Sequence, residues 1–134
     1  MSLNKFFSQY SDWAPIFLRL GVGIVFLVHG IQKLLGISGV VGFFSNLGIP
    51  IPALFAWIVA LVETFGGAFL IIGFLTRWSA LLLSIDMLVA ILLVHLPKGF
   101  SVANGGYEFA FLLLLASLTL LFRGSGKKLS LDKE

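Results

Sequence analysis

The chain of 134 residues is 59% hydrophobic and 11% charged, with a mean hydropathy of +1.08. A soluble domain carries about 25% charged residues, so the composition is that of an integral membrane protein in a single domain over residues 1–134. The net charge of +3 does not point to nucleic acid, because the basic residues sit at helix ends and on the tail. The absence of cysteine excludes disulfides, thiol redox chemistry and thiolate metal sites within the chain.

Residues 1–13, MSLNKFFSQYSDW, lack the basic, apolar and small-residue regions of a signal peptide. Their aromatics Phe6, Phe7, Tyr10 and Trp13 read as an interfacial lead-in at headgroup level. Four apolar segments follow, at Ala14–Leu35, Ala53–Leu75, Trp78–Leu96 and Tyr107–Phe122. Each is near the length that spans a bilayer as a helix, and backbone polar groups at membrane depth must be satisfied internally. The expected fold is all-α, a polytopic four-helix membrane bundle.

The first segment sets the pattern. At 100° per residue, Arg19, Gly23, Phe26, Gly30 and Lys33 share one stripe, with His29 beside it. The connection to the second segment, GISGVVGFFSNLGIPIP, places Phe43 and Phe44 either flat in the interface or folded back over the bundle. A tight turn around Thr76 and Arg77 makes the second and third segments antiparallel neighbours. The loop PKGFSVANGG, rich in glycine, is expected to be flexible, and the polar tail GSGKKLSLDKE to be solvated. Gly23-x-x-Phe26-Leu27-x-x-Gly30 recurs as Gly66-x-x-Phe69-Leu70-x-x-Gly73. Such spacing lets helix backbones approach closely.

Four spans put both termini on one side, with Lys5, Arg77, Arg123, Lys127, Lys128 and Lys133, and with Arg19 near its edge. The opposite side has Lys98, with Lys33 near its edge. The positive-inside rule then places both termini in the cytoplasm and the protein in the cell's inner, cytoplasmic membrane.

Counting from the inner helix ends puts Arg19 at roughly 7 Å and Asp86 at roughly 12 Å. Glu63 falls at roughly 18 Å, His29 and Glu108 at roughly 22 Å, and Lys33 and His95 at roughly 26–28 Å. Two layers are expected: a structural Arg19–Asp86 ion pair, and an outer group of His29, Lys33, Glu63, Glu108 and His95. Ionisable groups at membrane depth avoid lipid and mark functional paths. Asp86 and His95 are nine residues apart, so they face opposite ways unless the helix bends or unwinds. The Glu-x-x-His pattern of di-iron bundles is absent, Gly66 and Phe111 standing where histidine is needed. No metal site is expected, and a haem on His29 and His95 is disfavoured by their facing.

An ordered set of motifs resembles the DoxX family of small membrane proteins: Arg19, His29-Gly30-x-x-Lys33, Gly48-Ile49-Pro50, Glu63-x-x-Gly66-Gly67, Gly73-x-x-Thr76-Arg77, Gly106-x-Glu108 and Gly124-x-Gly126-x-x-x-Ser130-Leu131-Asp132. The resemblance implies a four-helix membrane bundle. It also implies kinship with the membrane subunit of a thiosulfate:quinone oxidoreductase and with partners in membrane oxidoreductase complexes. The family's polar positions map onto Arg19, His29, Lys33, Glu63 and Glu108, with Asp86 and His95 beside them. The expected function is a membrane subunit of an oxidoreductase complex. His29, Glu63, Glu108 and Lys33 would be its catalytic polar groups, and His29, Glu63 and His95 its contacts to a quinone. Its partners would be the bilayer, a redox subunit and a second copy of the chain. The rival readings are a non-catalytic scaffold, with the charges only specifying the bundle, and a small transporter or proton path.

Overall fold

The computed structural model describes residues 1–133, and every regular element in them is helical. The helices are α1 (Leu3–Ser8), α2 (Ala14–Leu35), α3 (Ile37–Asn46), α4 (Pro52–Ile72), α5 (Thr76–Ala90) and α6 (Glu108–Arg123). Helix α5 continues through a wide π turn, Ile91–His95, and a short 3-10 turn, Leu96–Lys98. Three segments are long and apolar enough to cross a membrane: Ser11–Leu35, Pro52–Ile72 and Thr76–Lys98. Helix α6 has 16 residues, about 24 Å along its axis.

The packing is that of a protein dissolved in lipid. Phe26, Leu70, Leu83 and Leu120 are fully buried between helices, whereas Ile24, Trp57, Leu61, Leu82 and Leu112 lie on the outside. Bulky apolar groups on the outer surface meet hydrocarbon rather than water, so their exposure carries no hydrophobic penalty there. What joins the helices is close fit. Helices α2 and α4 pack along their length. A Cβ on Gly67 would stand 2.6 Å from the carbonyl oxygen of Gly23 and 2.5 Å from the Leu27 nitrogen, and one on Gly30 would overlap the backbone of Thr64. Gly23 and Gly30 of α2 and Gly67 of α4 therefore mark where two backbones meet, whereas Gly66 of the repeated motif faces the Leu83 side chain. Helix α5 packs on α4 and α6, and α6 also touches α2, which closes the bundle.

Two connections differ from expectation. The link after α2 is a helix, α3, packed on α4. The loop before α6 is tied down by its own backbone: Tyr107 N–H donates to the Gly99 carbonyl and Glu108 N–H to that of Phe100, both at 2.9 Å. Its glycines serve close approach, since a Cβ on Gly106 would overlap Gly99 and Phe100.

The tail also departs from the solvated state expected of it. It folds back across the ends of α2, α4 and α5. Arg19, buried on α2, donates from Nη2 to the carbonyls of Leu129 (2.8 Å) and Lys128 (3.4 Å). Asp132 accepts from the backbone N–H groups of Leu75 (2.8 Å) and Thr76 (2.9 Å), which open α5. Its own N–H donates to the Gly73 carbonyl at 2.7 Å. The turn it grips is a strained one. Gly73 (φ +67°) ends α4, and Leu75 holds a left-handed conformation (φ +47°) that costs a side-chain-bearing residue energy. Burial alone would raise the Asp132 carboxyl. The hydrogen bonds from Thr76 and Leu75 and the charge of Arg19 outweigh it and hold Asp132 below the usual carboxylate range.

Candidate functional site

Between α2, α4, α5 and the loop before α6 lies a cavity of about 590 Å³. Its walls are mostly apolar, with Phe26, Phe55, Val59, Met87, Leu93 and Phe109 among them, and α3 contributes Phe43 and Phe44. Of the two positions open to that phenylalanine pair, the structure takes the one folded back over the bundle. Five ionisable side chains reach the same cavity: His29, Lys33, Glu63, Asp86 and His95.

Its polar centre is built from three helices. Lys33 lies near the end of α2, and helical side chains lean toward the N-terminus. Its chain thus reaches back into the bundle, and Nζ meets Glu63 Oε2 at 2.8 Å. Glu63 is nearly fully enclosed (3% side-chain exposure), while Lys33 keeps 27%. The pair runs from the interior toward the outer end of α2. Asp86 of α5 lines the same cavity as Glu63. Its Oδ2 is buried with no donor beside it among the described residues.

Of the expected Arg19–Asp86 pair, Arg19 donates to the tail carbonyls of Leu129 and Lys128, and Asp86 lines the cavity at the level of Glu63. The helix bounds give the reason. From the true inner ends, Ile72 of α4 and Thr76 of α5, Glu63 and Asp86 both stand about 14–15 Å up their helices. Arg19 stands only about 7–8 Å from the start of α2.

His95 reaches the cavity because of the π turn. A turn closed by i→i+5 bonds advances each residue by less than 100°. Across Ile91–His95 this swings His95 back toward the wall that Asp86 lines. Its Nδ1 lies 2.8 Å from the Gly105 carbonyl. A carbonyl only accepts, so Nδ1 carries the hydrogen of this bond. His29 also lines the cavity. Glu108 does not. Its Oε1 accepts from the Val102 N–H at 2.7 Å, so it braces the loop at the N-terminus of α6. Thr119 is bonded back to the Leu115 carbonyl of its own helix. Among the described residues no group of three or more His, Asp or Glu side chains is placed to hold a metal ion.

A family model described as DoxX matches residues 14–96. That region includes His29, Lys33, Glu63, Asp86 and His95. The chain is 37% identical over 130 residues to a Bacillus subtilis (strain 168) protein named "Putative oxidoreductase CatD", covering 97% of this chain and 90% of the relative. It is 38% identical over 129 residues to "Uncharacterized membrane protein Rv3486" of Mycobacterium tuberculosis, covering 88% of this chain and 78% of the relative. It is 32% identical over 80 residues to "Inner membrane protein YphA" of Escherichia coli (strain K12), covering 55% and 57% respectively. No solved structure matches the chain. The family match and the long apolar helices make this a multi-pass protein of the inner, cytoplasmic membrane. With its enclosed Lys33–Glu63 pair at the wall of an apolar cavity, the chain belongs to the DoxX family.

Proposed function

We propose that this protein is the membrane subunit of an oxidoreductase complex and that its cavity holds the ring of a quinone or quinol. The observation that carries this reading is the cavity itself: about 590 Å³, mostly apolar, with convergent polar groups on one wall. Small-molecule sites are apolar concavities of about 300–1,000 Å³ in which a few polar groups fix orientation. A quinone ring needs that combination: apolar walls for its faces, and hydrogen-bonding groups for its oxygens.

A bound quinone supplies two-electron, two-proton chemistry. The residues of this chain bind, orient and exchange protons. Phe26, Phe55 and Met87 would pack on the ring. His29 and the free Lys33 N–H groups can donate to a ring oxygen. Glu63, ion-paired to a lysine that keeps partial exposure, links the buried wall to the surface as one end of a proton path. Because the chain has no cysteine, thiol chemistry in such a complex belongs to another subunit. The relative named as an oxidoreductase supports this assignment by likeness.

The proposed topology has four spans, with α6 as the shortest, and both termini in the cytoplasm. The basic residues Lys5, Arg77, Arg123, Lys127, Lys128 and Lys133 gather at that end. The partner is a separate redox subunit, and a second copy of this chain can share the assembly.

The test is extraction of lipid-soluble compounds from detergent-purified protein, paired with an ultraviolet redox difference spectrum. A co-purifying quinone near one per chain is expected, reduced in the retained amount by Glu63→Leu. No retained quinone, together with no saturable uptake of added short-chain quinone, would overturn the proposal.

A further inference from the structure

The start of α2 carries a surface that the cavity does not involve. In α1 and just past it, Leu3, Phe6, Phe7 and Tyr10 follow the spacing i, i+3, i+4 and i+7, which sets them on one face. Lys5, Ser8 and Gln9 fall on the other. The rings of Phe6 and Phe7 stand 5.2 Å apart, and those of Phe6 and Tyr10 5.4 Å. No residue of α1 is buried, and Phe7 is 61% exposed. This apolar face joins a membrane span at Ser11 with no protein covering it. Its partner is the lipid surface at that end of the bundle.

The charge here says which lipid. Lys5, Lys127 and Lys128 are exposed, and none is paired with a carboxylate among the described residues. Asp132, the nearest acid in the tail, is committed to the N–H groups of Leu75 and Thr76. Asp12 is the other acid of the described residues at this end. Lys127 and Lys128 are not a loose basic tail either. Buried Arg19 holds the backbone carbonyls of Lys128 and Leu129. A Cβ on Gly126 would stand 2.9 Å from the Pro15 side chain, so the tail is seated on the first turn of α2. This anchoring lays the Lys128 ammonium 5.8 Å from the centre of the Trp13 ring, within cation–π range. Tryptophan favours headgroup level, so fixed cations stand where lipid phosphates lie. A zwitterionic headgroup brings its own ammonium to that place, whereas an anionic one brings net negative charge.

We propose that Lys127, Lys128 and Trp13 form a binding site for the headgroup of an anionic phospholipid, with the apolar face of α1 anchored in the same leaflet. The site is independent of what fills the cavity.

The experiment is tryptophan quenching on the full chain in bilayers of phosphatidylcholine and phosphatidylglycerol, one of the two brominated near the headgroup end of its acyl chains. Trp57→Phe with Trp78→Phe leaves Trp13 as the reporter. Both replaced side chains are exposed. Trp13→Phe with Trp78→Phe leaves Trp57, which lies in the other leaflet because α4 runs antiparallel to α2, Gly23 meeting Gly67 and Gly30 meeting Thr64. Phosphatidylglycerol is expected to be preferred at Trp13 by about threefold or more, and by less than that at Trp57. Adding Lys127→Gln with Lys128→Gln should bring the Trp13 preference below threefold. Arg19 holds the tail by backbone carbonyls, so these changes leave its anchoring in place. A preference below threefold at Trp13 in the chain that keeps both lysines would overturn the proposal and leave the pair to an acidic face of a protein partner. An equal preference at Trp57, or one that survives loss of both lysines, would overturn it too. Loss of the preference on adding glycerol phosphate would assign the cations to a soluble anion instead of a lipid.

Discussion

Replacing Lys33 with methionine isolates the energetics of the intramembrane ion pair. The substitution keeps the length and the apolar stem and removes the ammonium that Glu63 holds at 2.8 Å. Breaking a buried pair by deleting one partner costs about 3–5 kcal/mol, because the other charge is left uncompensated. Lys33 retains 27% exposure against 3% for Glu63, so part of the pair's field is screened, and we place the cost at about 2–3 kcal/mol. That is roughly a 30- to 150-fold change in the unfolding equilibrium. The reverse deletion is predicted to be milder. In Glu63→Gln the lysine is free to extend to the interface, and the loss should stay near 1 kcal/mol. Replacing both, as Lys33→Met with Glu63→Leu, removes both charges and should return stability to within about 1 kcal/mol of wild type. The assay is reversible unfolding in mixed micelles by titration with a denaturing detergent, followed by circular dichroism. If Lys33→Met lies within about 0.5 kcal/mol of wild type, or if Glu63→Gln is the more damaging change, the enclosed anion is not what the pair protects.

Three further outcomes follow from other parts of the molecule. Gly67→Val should destabilise by about 1–3 kcal/mol in the same assay, since the atoms in its way are the Gly23 and Leu27 backbones; Gly39→Val, with open space around it, is the control. Asp132 is held below its unfolded pKa, so its contribution is present above about pH 4 and is lost as pH falls through the folded value. Asp132→Asn should flatten that part of the acid-stability curve, and an unchanged curve would count against the tail as a brace of α5. Arg19→Ala should release the tail, read as faster proteolysis at Lys127 and Lys128, while leaving bound ligand unaltered.

The helical class and the membrane setting were legible from hydropathy because the bilayer imposes length and internal hydrogen bonding on any span. The placing of Lys33 and Glu63 in one outer polar group was legible too, but their pairing with each other emerges only from the structure. Asp86 was misplaced by arithmetic at the helix ends. Gly73 stops α4 three residues before the apolar run ends, and Thr76 starts α5 two residues before Trp78. Those five residues put Glu63 and Asp86 on different levels on paper, though they share one in the fold. His95 turned inward through a π turn in an unbroken apolar run, Ile91–Val94, which carries no glycine or proline to mark it. The docked tail had a signal in Ser130 and Asp132, residue types that cap backbone N–H groups. Glu108 was read by its depth, whereas its place at the first position of α6 explains its role as a brace.

The most direct measurement of the central claim is photoaffinity labelling of the purified protein with an azido-benzoquinone, with the labelled segments located by mass spectrometry. A quinone held in the cavity should label the α5 wall around Met87–Val94 and the facing Phe55–Val59 stretch, with labelling abolished by excess unlabelled hydroquinone. Label spread over the outward residues Ile24, Leu82 and Leu112, undiminished by competitor, would mean the compound dissolves in the detergent shell and that the cavity is not its site.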